Sequence, residues 1–145
     1  MPGIVVGIDG SDHSLEALNW AMKEAAAHHA PLTVLVVHQV AASHWTGNPI
    51  TLPEDRAAQE AAGHAAEKAA AEAEGRLGES RPASVTVRAV SGIAARELID
   101  ASRDADLLVV GSRGGGGFAN LMMGSTSSQV VHHAHCPVVI MPRAG

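Results

Sequence analysis

Short runs of apolar residues alternate along this chain with longer segments in which apolar positions recur at helical spacing. Five of the runs have the length and composition of strands. They cover residues 4–8, 32–37, 84–90, 106–110 and 137–142. The runs at 4–8, 32–37 and 106–110 are almost uninterrupted, which is typical of strands that are buried on both faces of a parallel sheet.

Four segments between these strands have the periodicity of helices. They cover about residues 12–29, 53–77, 92–101 and 124–134. Strands that alternate with helices through five repeats indicate an α/β fold with a parallel sheet. We therefore predict a single domain, residues 1–145, built as a three-layer, doubly wound, five-stranded parallel sheet with helices on both faces.

The second predicted helix is rich in alanine. Thr51 and Glu54 have the spacing of a capping box, and Pro53 suits a first helical turn, so the sequence predicts that the helix begins there. Alanines recur at every fourth position from Ala57 to Ala73, and we expect this stripe to face the sheet. Because alanine is small, the helix should lie close to the sheet.

The composition of the chain argues against several classes of function. Of 145 residues, 46% are hydrophobic, which is enough for a substantial core. A net charge of −5 argues against a nucleic-acid partner, and three aromatic residues offer little for base stacking. No apolar run approaches the ~18 residues of a membrane span, and no basic leader precedes the first strand. Cys136 is the only cysteine, which excludes an intrachain disulfide. We expect a soluble, cytoplasmic protein that binds neither nucleic acid nor membranes.

A glycine-rich segment follows the fourth predicted strand. Residues 111–117 are Gly-Ser-Arg-Gly-Gly-Gly-Gly, and residues 124–127 are Gly-Ser-Thr-Ser at the start of the next helix. Glycine lets the backbone come close to a phosphate, and a helix start offers N–H groups and the positive end of the helix dipole. The segment predicts a cradle for a phosphate-bearing ligand, with Arg113 as its cation.

Other interpretations of these residues stay open. A glycine-rich stretch can be a plain surface turn, and Ser125, Thr126 and Ser127 can cap the helix with the same geometry that binds phosphate. Asp9, after the first strand, can be a turn residue. Ligands of doubly wound sheets bind at the carboxyl ends of strands. Asp9 and Gly111 would therefore border one crevice if the first and fourth strands are neighbours.

A protein-bound metal is disfavoured. His132, His133, His135 and Cys136 cluster near the end of the last helix, but adjacent helical positions diverge by about 100°. The sequence has no second ligand group with the spacing of a zinc site. Histidines at the carboxyl end of a helix are explained by the helix dipole. We predict no metal-binding residues.

Three segments resemble the universal stress protein family. Residues 6–11 resemble its opening strand and turn, and residues 133–140 resemble its closing segment. Two residues separate Gly111 from Gly114, nine separate Gly114 from Gly124, and a serine follows, which is similar to the family's ATP-binding pattern. The resemblance covers nearly the whole chain. It implies a Rossmann-like sheet with strand order 3-2-1-4-5, like that of the adenine nucleotide alpha hydrolases.

The resemblance also implies a ligand, its contacts and an assembly. It implies ATP, with Mg²⁺ or Mn²⁺ bridging the phosphates, and a homodimer formed largely through the last strand, at Val138, Val139 and Ile140. The base and ribose would lie near Asp9 and the end of the second strand, and the phosphates over the glycine-rich segments. The implied nucleotide-binding residues are Asp9, Gly10, Ser11, His38, Gln39, Val40, Gly111, Ser112, Arg113, Gly114, Gly124, Ser125, Thr126 and Ser127.

The function favoured on these grounds is a nucleotide-binding regulatory module of the stress response that has no catalytic residues. The alternatives are a slow ATPase, an adenylyl-transferring relative, a cyclic-AMP-binding member, and an interaction protein with an empty crevice. Catalysis has little support. Neither lysine lies near the glycine-rich segment as a P-loop requires, the dinucleotide fingerprint is incomplete, and spacing alone assembles no Ser-His-acid set.

Overall fold

The computed structural model describes residues 3–10, 12–42, 45–50, 52–112 and 125–142. Over these residues the chain forms seven strands and four helices. They are β1 (Ile4–Ile8), α1 (Asp12–His28), β2 (Pro31–Gln39), β3 (Ala41–Ala42), β4 (Pro49–Ile50), α2 (Pro53–Gly75), β5 (Ser84–Gly92), α3 (Ala94–Ser102), β6 (Leu107–Gly111), α4 (Ser125–His133) and β7 (Val138–Met141). None of the helices in the described ranges is both long and apolar enough to cross a membrane.

The five longer strands form one parallel sheet in the order β5-β2-β1-β6-β7. Counted along the chain without the two short strands, this is the predicted order 3-2-1-4-5. The central strand β1 pairs with β2 from Ile4 to Ile8 and with β6 from Ile4 to Val6. The first and fourth predicted strands are therefore neighbours. Asp9 follows β1 and Gly111 ends β6, so the two residues lie at the same edge of the sheet.

Successive strand residues point to opposite faces of the sheet, and each face has its own hydrophobic cluster. On one face, valines of β1, β2 and β6 pack against α1 and α2, with Leu18 and Met22 fully buried among them. On the other face, strand residues pack against α3 and α4. That second cluster comprises Val5, Leu35, Leu98, Leu108, Val110 and Val130. The predicted helical layer on each face is confirmed.

The start of α2 differs from its prediction. The helix begins at Pro53 and its N-cap is Leu52, which has no side-chain acceptor. The carboxylate of Asp55 accepts a hydrogen bond from the Leu52 N–H at 2.7 Å. Asp55 therefore does what the capping-box spacing assigned to Glu54, because the helix starts one residue later than that spacing requires. Thr51 lies outside the described residues.

The buried face of α2 was predicted correctly only toward the end of the helix, where Ala69 and Ala73 pack in the core. Its buried residues are Gly63, Ala66, Ala70 and Ala73, whereas the stripe that starts at Ala57 is exposed over its first half. An alanine-rich helix has too little contrast between its faces for periodicity to choose one. The close approach to the sheet is confirmed, since a Cβ on Gly63 would lie 3.0 Å from the Cβ of an alanine on β5.

A short hairpin follows β2, where the sequence predicted only a loop. Ala41 and Ala42 in β3 pair antiparallel with Ile50 and Pro49 in β4. Trp45 lies in the connecting turn, and 96% of its surface is exposed. The hairpin therefore presents an aromatic ring to solvent beside the carboxyl end of the sheet.

Candidate functional site

A crevice opens at the carboxyl ends of β1 and β6, on the face of the sheet that α3 and α4 cover. It has about 510 Å³ of empty space, its open mouth included. The described residues that line it are Gly7, Ile8, Asp9, Ser14, Leu35, Val37, Ala94, Leu98, Val110, Gly111, Thr126 and Ser127. The helices that follow β1 and β6 lie on opposite faces, which is the arrangement that leaves a ligand crevice in doubly wound sheets.

One end of the crevice is apolar. Leu35 and Val37 of β2 line it from one side, and Ala94 and Leu98 of α3 line it from another. Leu35 and Leu98 belong to the hydrophobic cluster beneath α3 and α4, with Val110 of β6. A site of this kind suits a flat, largely apolar ring that gains by leaving water.

Gly7 makes room for this apolar end. A Cβ on Gly7 would lie 2.6 Å from Cδ2 of Leu98, closer than real Cβ contacts allow. The missing side chain therefore lets α3 lie against the middle strand of the sheet. Leu98 is buried there, with 6% of its surface exposed.

The other end of the crevice is polar and is built around the start of α4. The hydroxyl of Ser127 donates a hydrogen bond of 2.6 Å to the carbonyl of Gly111, which holds the first turn of α4 against the end of β6. Across the crevice, the N–H of Asp9 donates to the hydroxyl of buried Ser14 at 3.2 Å. Thr126 lines the crevice between these two anchors.

The electrostatics of this polar end favour an anion. The first N–H groups of a helix have no partner within the helix, and they carry the positive end of its dipole. Thr126 and Ser127 belong to that first turn of α4. Among the described lining residues none is lysine or arginine, and Asp9 is the one carboxylate. Of the described groups at this end, mainly the backbone N–H groups could therefore hold an anion.

The structure brings together four of the residues that the sequence proposed for nucleotide binding: Asp9, Gly111, Thr126 and Ser127 all line the crevice. The other proposed residues at these two loops lie elsewhere or outside the description. Gly10 borders a groove on the opposite face and has φ +86°, Ser112 is buried and donates its N–H to the carbonyl of Met141, and Ser125 is exposed. Ser11, Arg113, Gly114 and Gly124 lie outside the described residues.

The three proposed residues at the end of β2 make bonds within the protein. Nε2 of His38 lies 2.8 Å from Oδ1 of Asp55, on the α2 side of the sheet. Gln39 accepts a hydrogen bond from the Ala94 N–H, and the Val40 N–H donates to the carbonyl of Gly92. None of the three lines the crevice as described, and their contact with a ligand stays a prediction.

Sequence reasoning missed the apolar end of the crevice. Leu35 and Val37 were predicted only as part of a buried strand, and neither Leu98 nor Ser14 was proposed as part of a site. The alternation of β2 carried a usable signal, because Leu35 and Val37 fall on the face opposite Val34 and Val36. No signal of comparable strength marked Leu98, whose position depends on how α3 packs against Gly7.

Two groups outside the crevice have shifted pKa values. Hydrogen bonds from the Leu52 N–H and from His38 lower the pKa of Asp55. Burial, and then the charge of Asp106, raises the pKa of the Cys136 thiol. A thiol with a raised pKa is protonated and a poor nucleophile at neutral pH.

Comparison with known proteins agrees with this geometry. The model of the Universal stress protein family matches residues 2–142. A universal stress protein of Mycolicibacterium smegmatis is 37% identical over 139 residues, which cover 96% of this chain and 47% of that protein. The chain thus spans about half the length of this relative.

Two solved structures have the same fold. The universal stress protein UspA from Lactobacillus plantarum is 27% identical, with a TM-score of 0.77 and 96% of each chain covered. A universal stress protein crystallised in complex with cAMP is 28% identical, with a TM-score of 0.66, and the match covers 95% of this chain and 94% of that one. Since the family match extends over all five strands of the parallel sheet, the chain belongs to the universal stress protein family.

Proposed function

We propose that this protein binds an adenine nucleotide in the crevice and acts as a regulatory module of the stress response, not as an enzyme. The observation that carries the proposal is the pairing of an apolar end, at Leu35 and Leu98, with a polar end at the first turn of α4. The apolar end suits a purine ring, and the helix start suits a phosphate.

The similarity to the cAMP complex supports an adenine nucleotide, since that protein shares the fold and 28% of its residues with this chain. The glycine pattern supports ATP among the adenine nucleotides, because its spacing resembles the family's ATP-binding pattern. A divalent ion, Mg²⁺ or Mn²⁺, would neutralise the triphosphate. Asp9 is the single carboxylate among the described lining residues, so the phosphates themselves would supply most of the ion's ligands.

The described lining residues support slow or absent turnover of ATP. Fast phosphoryl transfer needs cationic stabilisation of the transferred group and a residue that orients the attacking water. The described lining residues include no lysine or arginine, and only Asp9 could act as a base. Phosphate release from ATP by the wild type should be slow. Fast release that Asp9→Asn abolishes would favour an ATPase instead.

We infer further that the protein is a cytoplasmic homodimer that pairs through β7. β7 is an edge strand of the described sheet. The Pro137 carbonyl accepts a bond from Leu108 of β6 and the Met141 carbonyl accepts one from Ser112, just after β6. Backbone alternation therefore turns the N–H groups of Val138 and Ile140 away from β6. An outward row of N–H and C=O groups can pair with a second copy.

The single cysteine supports the proposed cytoplasmic location, because a lone cysteine needs no oxidising compartment.

Ile140→Pro tests the dimer. It removes an outward N–H without breaking the bonds to β6, so sedimentation should report a monomer that keeps the wild-type circular dichroism. Val139→Pro is the contrasting variant, because its N–H faces β6 and its loss should destabilise the sheet. A dimer that survives Ile140→Pro would exclude pairing through β7.

The nucleotide is tested directly. Freshly purified protein is denatured and any released small molecule is identified, and calorimetry then measures the Kd for ATP with Mg²⁺. Gly114→Val and Gly124→Val should weaken binding by roughly tenfold or more, since a side chain would hold the phosphate away from the backbone. Gly78→Val is the control, because nothing lies within 4 Å of a Cβ at Gly78. Unchanged affinity in both loop variants would rule out this site.

A further inference from the structure

A side-chain amide connects the two sides of the apolar end of the crevice. Leu35 and Val37 line that end from β2, and Ala94 and Leu98 line it from α3. Gln39 is the last residue of β2, and strand alternation places it on the same face as Leu35 and Val37. Its Oε1 accepts a hydrogen bond of 2.9 Å from the Ala94 N–H. This bond fixes the first residue of α3 relative to β2.

The bond also caps a helix that has no cap of its own. The N-cap of α3 is Ile93, whose side chain has no hydrogen-bond acceptor. The first N–H groups of a helix need partners from outside it. Gln39 supplies one from a position 55 residues earlier in the chain. The position of the first turn of α3 therefore depends in part on one side chain of β2.

The second half of the amide engages the backbone beside it. Nε2 of Gln39 donates to the carbonyl of Val40 at 3.3 Å, and the Val40 N–H donates to the carbonyl of Gly92 at 3.0 Å. The main-chain N–H and C=O of Val40 are thus both paired within the protein. The described side chains that line this end of the crevice are apolar, so the shape of a nucleobase would matter there more than hydrogen bonds to those side chains.

We propose that Gln39 is a positioning residue that sets the width of the crevice between β2 and α3 and thereby determines how large a nucleobase the site accepts. The inference rests on the proposed nucleotide function. It assigns Gln39 to the clamping of α3, whereas the sequence assigned it to direct contact with the ligand. Loss of the amide should release the first turn of α3 and widen the apolar end.

The test compares three variants. Gln39→Ala removes both bonds, and Gln39→Glu keeps an oxygen that accepts from the Ala94 N–H. Gln59→Ala is the matched control. Gln59 also bridges to β5 through its amide, with Nε2 donating to the Ala89 carbonyl at 2.9 Å and Oε1 accepting from the Ser91 hydroxyl at 2.8 Å, but it does so from α2 on the opposite face.

Two measurements are made on each variant. Calorimetry gives the Kd of ATP and of N6-benzyl-ATP, both with Mg²⁺, and hydrogen exchange followed by NMR gives the protection of the Ala94 amide without ligand. Gln39→Ala should bind ATP about threefold to tenfold more weakly, because ligand binding would then have to fix the first turn of α3, which one hydrogen bond holds in place in the wild type. The variant should also gain affinity for N6-benzyl-ATP relative to ATP. Ala94 should lose protection in this variant. Gln39→Glu should keep that protection, and Gln59→Ala should keep the wild-type ratio of the two Kd values.

The outcomes separate this inference from the function on which it rests. If the wild type bound neither nucleotide, the proposed function would fail and the role in base selection would fail with it, while exchange at Ala94 would still decide whether Gln39 clamps α3. If the wild type bound ATP and Gln39→Ala left the ratio of Kd values unchanged, the positioning role would be overturned. An equal change of that ratio in Gln59→Ala would also overturn it, by reducing the effect to general destabilisation.

Discussion

Replacing Gly7 with alanine should push Leu98 into the crevice. The new Cβ would lie 2.6 Å from Cδ2 of Leu98, so that methyl group must retreat by about 0.8 Å to reach the 3.4 Å of an ordinary contact. Leu98 is 6% exposed and belongs to the cluster beneath α3 and α4, so protein atoms surround most of it. The crevice, which it already lines, is the open direction.

The expected cost follows from this geometry. Overpacking a well-packed position costs about 1–3 kcal/mol, and Leu98 has a free direction, so we expect the free energy of unfolding to fall by about 1–2 kcal/mol. A displaced methyl group in the apolar end should also weaken ATP binding by roughly tenfold, which corresponds to about 1.4 kcal/mol. Urea denaturation measures the first quantity and calorimetry with ATP and Mg²⁺ measures the second.

Two further variants make the test specific. Gly78→Ala introduces the same methyl group where nothing lies within 4 Å, and it should leave ATP affinity unchanged. Gly7→Ala combined with Leu98→Ala should cost less than the sum of the single changes, because the shortened side chain relieves the clash. An unchanged unfolding free energy in Gly7→Ala would refute the packing argument. Reduced stability with wild-type affinity would show that the displaced side chain avoids the ligand.

Three other substitutions and one chemical modification test the fold. Gly3→Ala should lower the free energy of unfolding, measured in urea, by about 2–4 kcal/mol, because φ is +101° and the new Cβ would clash with the Pro31 carbonyl oxygen. Gly75→Ala in α2 should raise the free energy of unfolding by about 0.5–1 kcal/mol. Asp55→Asn should lower Tm at pH 7. Because folding lowers the pKa of Asp55, its carboxylate stabilises the fold above pH ~4 and loses that effect as the pH falls through the folded pKa. The Tm values of the wild type and the variant should therefore converge in acid. A gap in Tm that persists at pH 2 would contradict this. The raised pKa of Cys136 predicts slow alkylation by iodoacetamide at pH 8 in the folded protein and fast alkylation in urea, and equal rates would contradict it.

The strand order and the helix-covered faces could be predicted because local pattern and global fold agree in this chain. Nearly continuous apolar runs, such as residues 34–37 of β2, are typical of strands that lie between two helical layers. The order itself came from the resemblance to a family, since apolar runs alone do not say which strands are neighbours. Pairing of β1 with β6 was the fact on which the predicted crevice depended, and the register confirms it.

The structural details that the sequence did not predict all depend on tertiary contacts between side chains. In α2, Ala66 is buried and Ala65 is exposed, but periodicity cannot tell these neighbouring alanines apart. The partners of His38 and Gln39, Asp55 and Ala94, are set by how α2 and α3 dock on the sheet. Sequence spacing gives no account of such docking.

The bond between the Ser127 hydroxyl and the Gly111 carbonyl has an evolutionary consequence. It joins the end of β6 to the first turn of α4, which we call the two anchors of the stretch between them. The bond between the anchors helps to offset the entropy lost when that stretch is closed into a loop. Substitutions between the two anchors should then cost little stability. Relatives could therefore differ in sequence between the anchors while they keep the same scaffold.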